Sequence, residues 1–114
     1  MTPMMWTVET LNATVDEEIE ALPADMRARL TRIAALIATT GLENVHAPHI
    51  KHIEAQLWEM RMKGKDGISR ALYVTAKKKR VVIVRVFIKK TEKTPRREIE
   101  IALTRAREVQ NDQD

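Results

Sequence analysis

Glu59, Arg61 and Lys63 alternate along the chain with Trp58, Met60 and Met62. In an extended backbone successive side chains point to opposite faces. The run therefore sets a carboxylate and two cations on one face of a strand and three apolar residues on the other. Farther along stand Arg70 and then Arg85, Phe87, Lys89 and Lys90. If these segments pair as neighbouring strands, one sheet face collects several cations around a single carboxylate. A cationic face of that kind binds phosphates and stabilises the charge that develops on a phosphorane. Arg61, Arg70 and Arg85 sit inside strands flanked by apolar residues, where a partly desolvated guanidinium needs an anion. Half-exposed sheets also carry Lys and Arg simply to stay solvated, so the charges raise a polyanion partner without selecting one.

Other residue types narrow the chemistry. Glu59 reads either as a general base or as the ion-pair partner of Arg61 or a cross-strand arginine, and the ion pair is favoured. His46, His49 and His52 are spaced three apart, but Pro48 interrupts any helix that would bring them together. They read as loop imidazoles, with His49 or His52 the choice for a titratable group approaching RNA. No metal site is expected. Phe87 shares a face with Arg85 and Lys89, so it either stacks on a base or is buried under the last helix. Trp58 alternates onto the apolar face and reads as core. The run Lys77-Lys78-Lys79-Arg80 reads as a solvated turn. No glycine-rich phosphate loop, Ser/His/Asp arrangement or paired-carboxylate motif occurs, and the absence of cysteine excludes disulfides and thiol chemistry.

The elements that must position these groups follow from periodicity. Met4 to Val8 reads as a first strand. Thr14-x-x-Glu17 is a capping box that starts a helix, interrupted at Pro23. Met26, Leu30, Ile33 and Ile37 then continue at helical spacing to Gly41, which suits a helix end. Leu42 to Gln56 reads as a loop with at most a short turn. Leu57–Lys63, Ile68–Thr75 and Val81–Ile88 read as three consecutive strands, joined by the turn residues Gly64 to Gly67 and by Ala76 to Arg80. In the third, Val82, Val84, Val86 and Ile88 are expected on one face. Thr94 as N-cap and Pro95 at the first helical position open a last helix. Its apolar stripe is Ile99, Ala102, Leu103, Ala106 and Val109. The order β-α-α-β-β-β-α predicts an α+β fold, an antiparallel sheet with an N-terminal αα-hairpin and a C-terminal helix.

Across 114 residues, 20 Lys+Arg against 16 Asp+Glu give a net charge of +4. The average hides two unlike parts. Residues 1–50 hold three basic and seven acidic residues, a balance of −4, and residues 51–114 hold seventeen and nine, a balance of +8. Such asymmetry is a hint of a polyanion partner. The length suits one domain, 1–114. There is neither a signal-peptide pattern nor an apolar run of about 18 residues that would span a bilayer, so a cytoplasmic protein with no membrane partner is expected.

Leu57-Trp58-Glu59-Met60-Arg61, Arg70-Ala71-Leu72-Tyr73, Phe87-Ile88-Lys89-Lys90-Thr91 and Thr94-Pro95-Arg96-Arg97-Glu98-Ile99 occur in that order. Together they resemble the signature blocks of HigB-like toxins of the RelE/ParE superfamily, which include phage-derived toxin-like proteins. The resemblance spans roughly Trp6 to Val109. It implies a RelE-like fold and a type II toxin of a toxin–antitoxin system that cleaves mRNA in the ribosomal A site without a metal or cofactor. In that reaction a 2′-OH attacks the adjacent phosphate, leaving a cyclic phosphate and a free 5′-OH. The resemblance makes Arg61, Arg70, Lys89 and Lys90 the catalytic candidates, with Lys63, Arg85 and Phe87 as RNA- or phosphate-binding residues. It also implies a helix-turn-helix antitoxin, and the acidic first helix (Asp16, Glu17, Glu18, Glu20), a poor RNA surface, is expected to face either solvent or that antitoxin. Where characterised members carry a His, Tyr or Asp at the end of the last strand, this chain reads Phe87-Ile88-Lys89-Lys90. A lysine serves as base there only with a lowered pKa, which crowding by Arg61 and Arg85 would provide. Two other readings stand beside this one: a ParE-like toxin that inhibits gyrase by binding, and a phage-derived RNA-binding module without catalysis.

Overall fold

The structure, a computed structural model, describes residues 5–46, 49–90 and 93–111. Strand β1 (Thr7–Thr10) leads into α1 (Ala13–Glu20) and α2 (Ala24–Thr40), which form the αα-hairpin. A 3₁₀ turn (Leu42–Asn44) precedes four consecutive strands, β2 (Ile50–Glu54), β3 (Leu57–Gly64), β4 (Gly67–Ala76) and β5 (Arg80–Lys89), and α3 (Arg96–Asn111) closes the described chain. The fold is α+β, with a five-stranded sheet in the order β1-β5-β4-β3-β2. β2 to β5 form an antiparallel meander, and β1 lies parallel to β5 at the far edge, so the sheet is mixed rather than wholly antiparallel.

Each sheet face is covered by helices. On one, Met26, Leu30, Ile33 and Ile37 of α2 and Val15 of α1 pack on Met60, Met62, Ala71, Tyr73, Val81, Ile83 and Val86. On the other, Ile99, Ala102, Ala106 and Val109 of α3 pack on Leu57, Leu72, Val74, Val82, Val84 and Phe87. The period of 3.6 in the helices and of 2 in β3 made both surfaces apolar where they meet. Charged residues of β3, β4 and β5 gather at one end of that face, where Glu59, Arg70 and Lys89 are buried.

Several local expectations change. Asn12, not Thr14, caps α1, with its Oδ1 accepting from Val15 N at 3.1 Å; asparagine is the better cap. Strand β1 begins later than read, at Thr7, and Met4 lies outside the described residues. β2 is a strand where a loop was expected. Gly41 ends α2 with φ of 91° and its N–H on Ile37 O, as a glycine there can. Leu72 pairs with Arg85 while Tyr73 pairs with Ile83, so Val84 is an extra residue on β5. This bulge reverses the alternation beyond it. Val86 therefore joins Val81 and Ile83 beneath the hairpin, not Val82 and Val84. Trp58 does face the hairpin side but is 39% exposed at the sheet margin, and its ring meets His52 edge-on at 4.9 Å.

Candidate functional site

One end of the α3-side face brings together residues from four adjacent strands. In register, Lys51 of β2 lies opposite Glu59 of β3, and Arg61 lies opposite Arg70 of β4. Lys63 pairs with Ile68, which pairs in turn with Lys89 of β5. Arg61 and Arg70 are thus like charges placed directly across from each other, an arrangement that destabilises a sheet. One side of the pair is compensated. Arg70 Nη1 donates to Glu59 Oε1 at 2.6 Å, and both residues are buried. Thr94, just before α3, donates its hydroxyl to Glu59 Oε2 at 2.8 Å. Thr94 therefore braces the buried carboxylate, while Pro95 O accepts the first helical amides, from Glu98 and Ile99.

Lys89 ends β5 beside this pair and is only 7% exposed. Burial holds its ammonium below the ordinary lysine range. The Arg70 guanidinium adds to that effect, Glu59 opposes it, and Lys51 and Arg61 push the same way as Arg70. The crowding expected from the sequence exists, but Arg70 supplies more of it than Arg61, and Arg85 is not among the causes. Arg61 is half-buried, and no carboxylate pairs with it among the described residues.

The structure brings Arg61, Arg70 and Lys89 together, with Lys63 exposed at the rim. Lys90 is exposed immediately beyond β5. Arg85 is elsewhere. At the bulge it donates to Glu98 of α3 and to Glu18 of α1, each at 2.7 Å. Glu18 also accepts from Val86 N at 2.9 Å and from Arg105 Nη1 at 2.9 Å. Arg85 therefore ties α1 to α3, and the Glu98 hydrogen bond holds its pKa above the usual arginine value. Glu18, expected on a solvent or antitoxin face, turns inward. Phe87 lies in the core beneath α3, the second of the two positions open to it. Tyr73 is three residues from Arg70 and so points to the opposite face, where burial raises its pKa. Among the described residues no group of His, Asp or Glu is arranged to hold a metal, and His52 instead bonds Ala55 O through Nε2 at 2.8 Å.

Two participants were missed. Lys51 lies in a strand read as loop. Arg29 of α2 comes from the acidic half, yet lines a cleft of about 290 Å³ with His49, Arg61, Lys63 and Ile68. No helix among the described residues is long and apolar enough to cross a membrane.

A search of curated proteins finds no match. Among solved structures, the chain is similar to Escherichia coli toxin RelE, a double arginine-to-alanine variant in the free state, with a TM-score of 0.60 and 12% identity. That match covers 90% of this chain and 98% of the other. It is also similar to the archaeal RelE–RelB complex from Pyrococcus horikoshii OT3, with a TM-score of 0.53 and 17% identity over 76% of this chain and 98% of the other. The fold is that of RelE toxins. The family described as phage derived protein Gp49-like matches residues 17–107. Over that span, which takes in both helical layers and every strand of the meander, the chain belongs to the phage-derived Gp49-like family.

Proposed function

We propose that this protein is the toxin of a type II toxin–antitoxin system and a ribosome-dependent mRNA endoribonuclease. The carrying observation is the cross-strand pair Arg61 and Arg70 beside buried Lys89, where only Arg70 of the two arginines holds a carboxylate. A sheet retains such repulsion at a stability cost, and a site that must neutralise phosphate gives the reason. The reaction needs a base for the 2′-OH, cations for the non-bridging oxygens and an acid for the leaving 5′ oxygen. Arg61 faces the phosphate. Arg70, held by Glu59 and Thr94, supplies a second, oriented charge. Lys89 is the proton-transfer group: it lies buried beside Arg70, and burial and that guanidinium lower its pKa, which favours the neutral amine. Glu59 is committed to Arg70 and Thr94 and positions rather than transfers. Lys90 and Lys63 add charge along the strand's path.

The Pyrococcus horikoshii RelE is seen in complex with RelB. By that likeness the partner here is an antitoxin protein, which we read as of the helix-turn-helix type. The substrate is mRNA in the ribosomal A site and the compartment is the cytoplasm. Induced expression followed by primer extension on cellular mRNAs tests the reading. Translation-dependent breaks are expected with the wild-type chain and not with Arg61→Ala. Growth arrest without breaks, accompanied by gyrase inhibition, would replace it with the binding-toxin reading.

A further inference from the structure

The cleft lined by Arg29, His49, Arg61, Lys63 and Ile68 lies at the open edge of β3. Pairing between β2 and β3 starts at Ile50 and Met60, so Arg61 to Lys63 extend past the neighbouring strand. A single bond, Arg61 N to His49 O at 2.9 Å, sets His49 beside Arg61. Helix α2 closes the other wall. Its first turn is clamped to the β3–β4 hairpin, where Lys65 N donates to Asp25 Oδ2 at 2.8 Å. A Cβ on Gly64 would stand 2.8 Å from that same oxygen, so the close approach needs glycine. Arg29 is one turn beyond Asp25 on the same helix face, and the clamp therefore aims it at Arg61 and Lys63.

The charge in this cleft is not compensated by carboxylates. Arg70, Arg80, Arg85, Arg96 and Arg105 each hold a carboxylate. Arg29, Arg61 and Lys63 have none among the described residues, and no carboxylate lines the cleft. The nearest on α2, Asp25, is occupied by the hairpin amide. Two guanidiniums, an ammonium and an imidazole thus converge on a concavity with an apolar floor at Ile68. Planar guanidiniums and a point charge match phosphate, and an apolar floor accepts a ribose or base.

We infer that this cleft is a second phosphate subsite, in which Arg29 and Lys63 hold the RNA backbone next to the phosphate at Arg61, Arg70 and Lys89. The inference rests on the nuclease reading for the identity of the strand. RNA is favoured over an acidic protein segment because Arg61 belongs to both sites. One polyanion with regularly repeated charges therefore passes from one to the other without a break. Arg29 fixes where along the strand the scissile phosphate falls.

The test is fluorescence anisotropy on the full-length protein with a short single-stranded 2′-O-methyl RNA, which binds without being cut, over a salt series. Arg29→Ala places the best helix former on a helix surface, so the fold is expected to survive. Roughly tenfold weaker binding is expected, with the salt slope falling by about 0.7 for each lost phosphate contact. Lys63→Ala behaves likewise with a smaller loss, and Arg107→Ala, exposed on α3, changes neither quantity. Arg29→Lys recovers part of the affinity. Wild-type affinity in Arg29→Ala, or an equal loss in Arg107→Ala, overturns the inference. So does Arg29-dependent binding of polyglutamate in preference to the RNA. Arg29-dependent RNA binding by a wild-type protein that cleaves no mRNA supports the subsite and removes the nuclease reading. Cleaving wild-type protein with an unaffected Arg29→Ala does the reverse.

Discussion

Arg61 and Arg70 face each other across the β3–β4 register, and Glu59 pairs with Arg70 but not with Arg61. The asymmetry assigns them different work. Arg70 is fixed in place and Arg61 is available. Replacing Arg61 by alanine removes a repulsion and no ion pair, so the melting temperature is expected to hold or rise slightly. Cleavage of translated mRNA is expected to fall about 100- to 1,000-fold, the usual effect of deleting one donor to a developing oxyanion. Thermal melts and cleavage assays on one preparation check both halves.

The Glu59–Arg70 pair is buried on both sides, with side-chain exposures of 1% and 5%. Glu59→Ala leaves a buried guanidinium without its carboxylate and is expected to cost about 3–5 kcal/mol. The double variant Glu59→Leu/Arg70→Met fills the space with apolar groups. It is expected to recover most of that stability and none of the activity. Denaturant unfolding of the three chains measures the difference.

Lys89 carries the pH dependence. Its folded-state pKa is lowered, so between that value and the ordinary lysine pKa the unfolded chain binds more protons than the folded one. The penalty is fully present below the folded pKa and is gone above the unfolded pKa of about 10.4. Stability is therefore expected to rise with pH through that window in the wild type, and Lys89→Met is expected to flatten the rise. Unfolding free energies over an alkaline pH series test the sign. If Lys89 acts as base, the cleavage rate climbs over the lower part of the same window.

Glu18 accepts from Arg85, Arg105 and the Val86 amide and joins α1 to α3 beside the middle of β5. Glu18→Gln keeps the shape and removes the charge. It is expected to cost about 1–3 kcal/mol while leaving RNA binding at Arg61 intact. Chemical denaturation and RNA titration separate the two effects.

The cationic face was legible because β3 announces itself. Glu59, Arg61 and Lys63 alternate with residues that must be buried, so period and chemistry agree. Arg70 and Lys89 followed once the strands were placed in a meander. β2 was not legible: Ile50-Lys51-His52-Ile53-Glu54 has one fully buried residue and lies on a sheet edge, so no alternation marks it. Its loss hid Lys51. The bulge leaves no trace in the apolar run Val81 to Val84. Arg85 keeps the face it shares with Phe87 and Lys89, but Glu98 of α3 and Glu18 of α1 engage it away from the site, contacts that no strand pattern carries. Arg29 lies 32 residues before Arg61 in a stretch whose net charge is negative. The packing of α2 on β3 and the Asp25–Lys65 clamp bring them together, and those are tertiary contacts no local pattern carries.

The central claim is that this site breaks RNA through the neighbouring 2′-OH with Arg61 on the phosphate. The most direct measurement is end-group analysis after cleavage of a ribosome-bound mRNA, beside the same mRNA with one 2′-deoxy nucleotide at the cut position. A cyclic phosphate and a free 5′-OH are predicted for the first, no break for the second, and no break for either with Arg61→Ala. Cleavage of the deoxy-substituted strand, or an intact ribosome-bound mRNA in the presence of folded wild-type protein, would contradict the account.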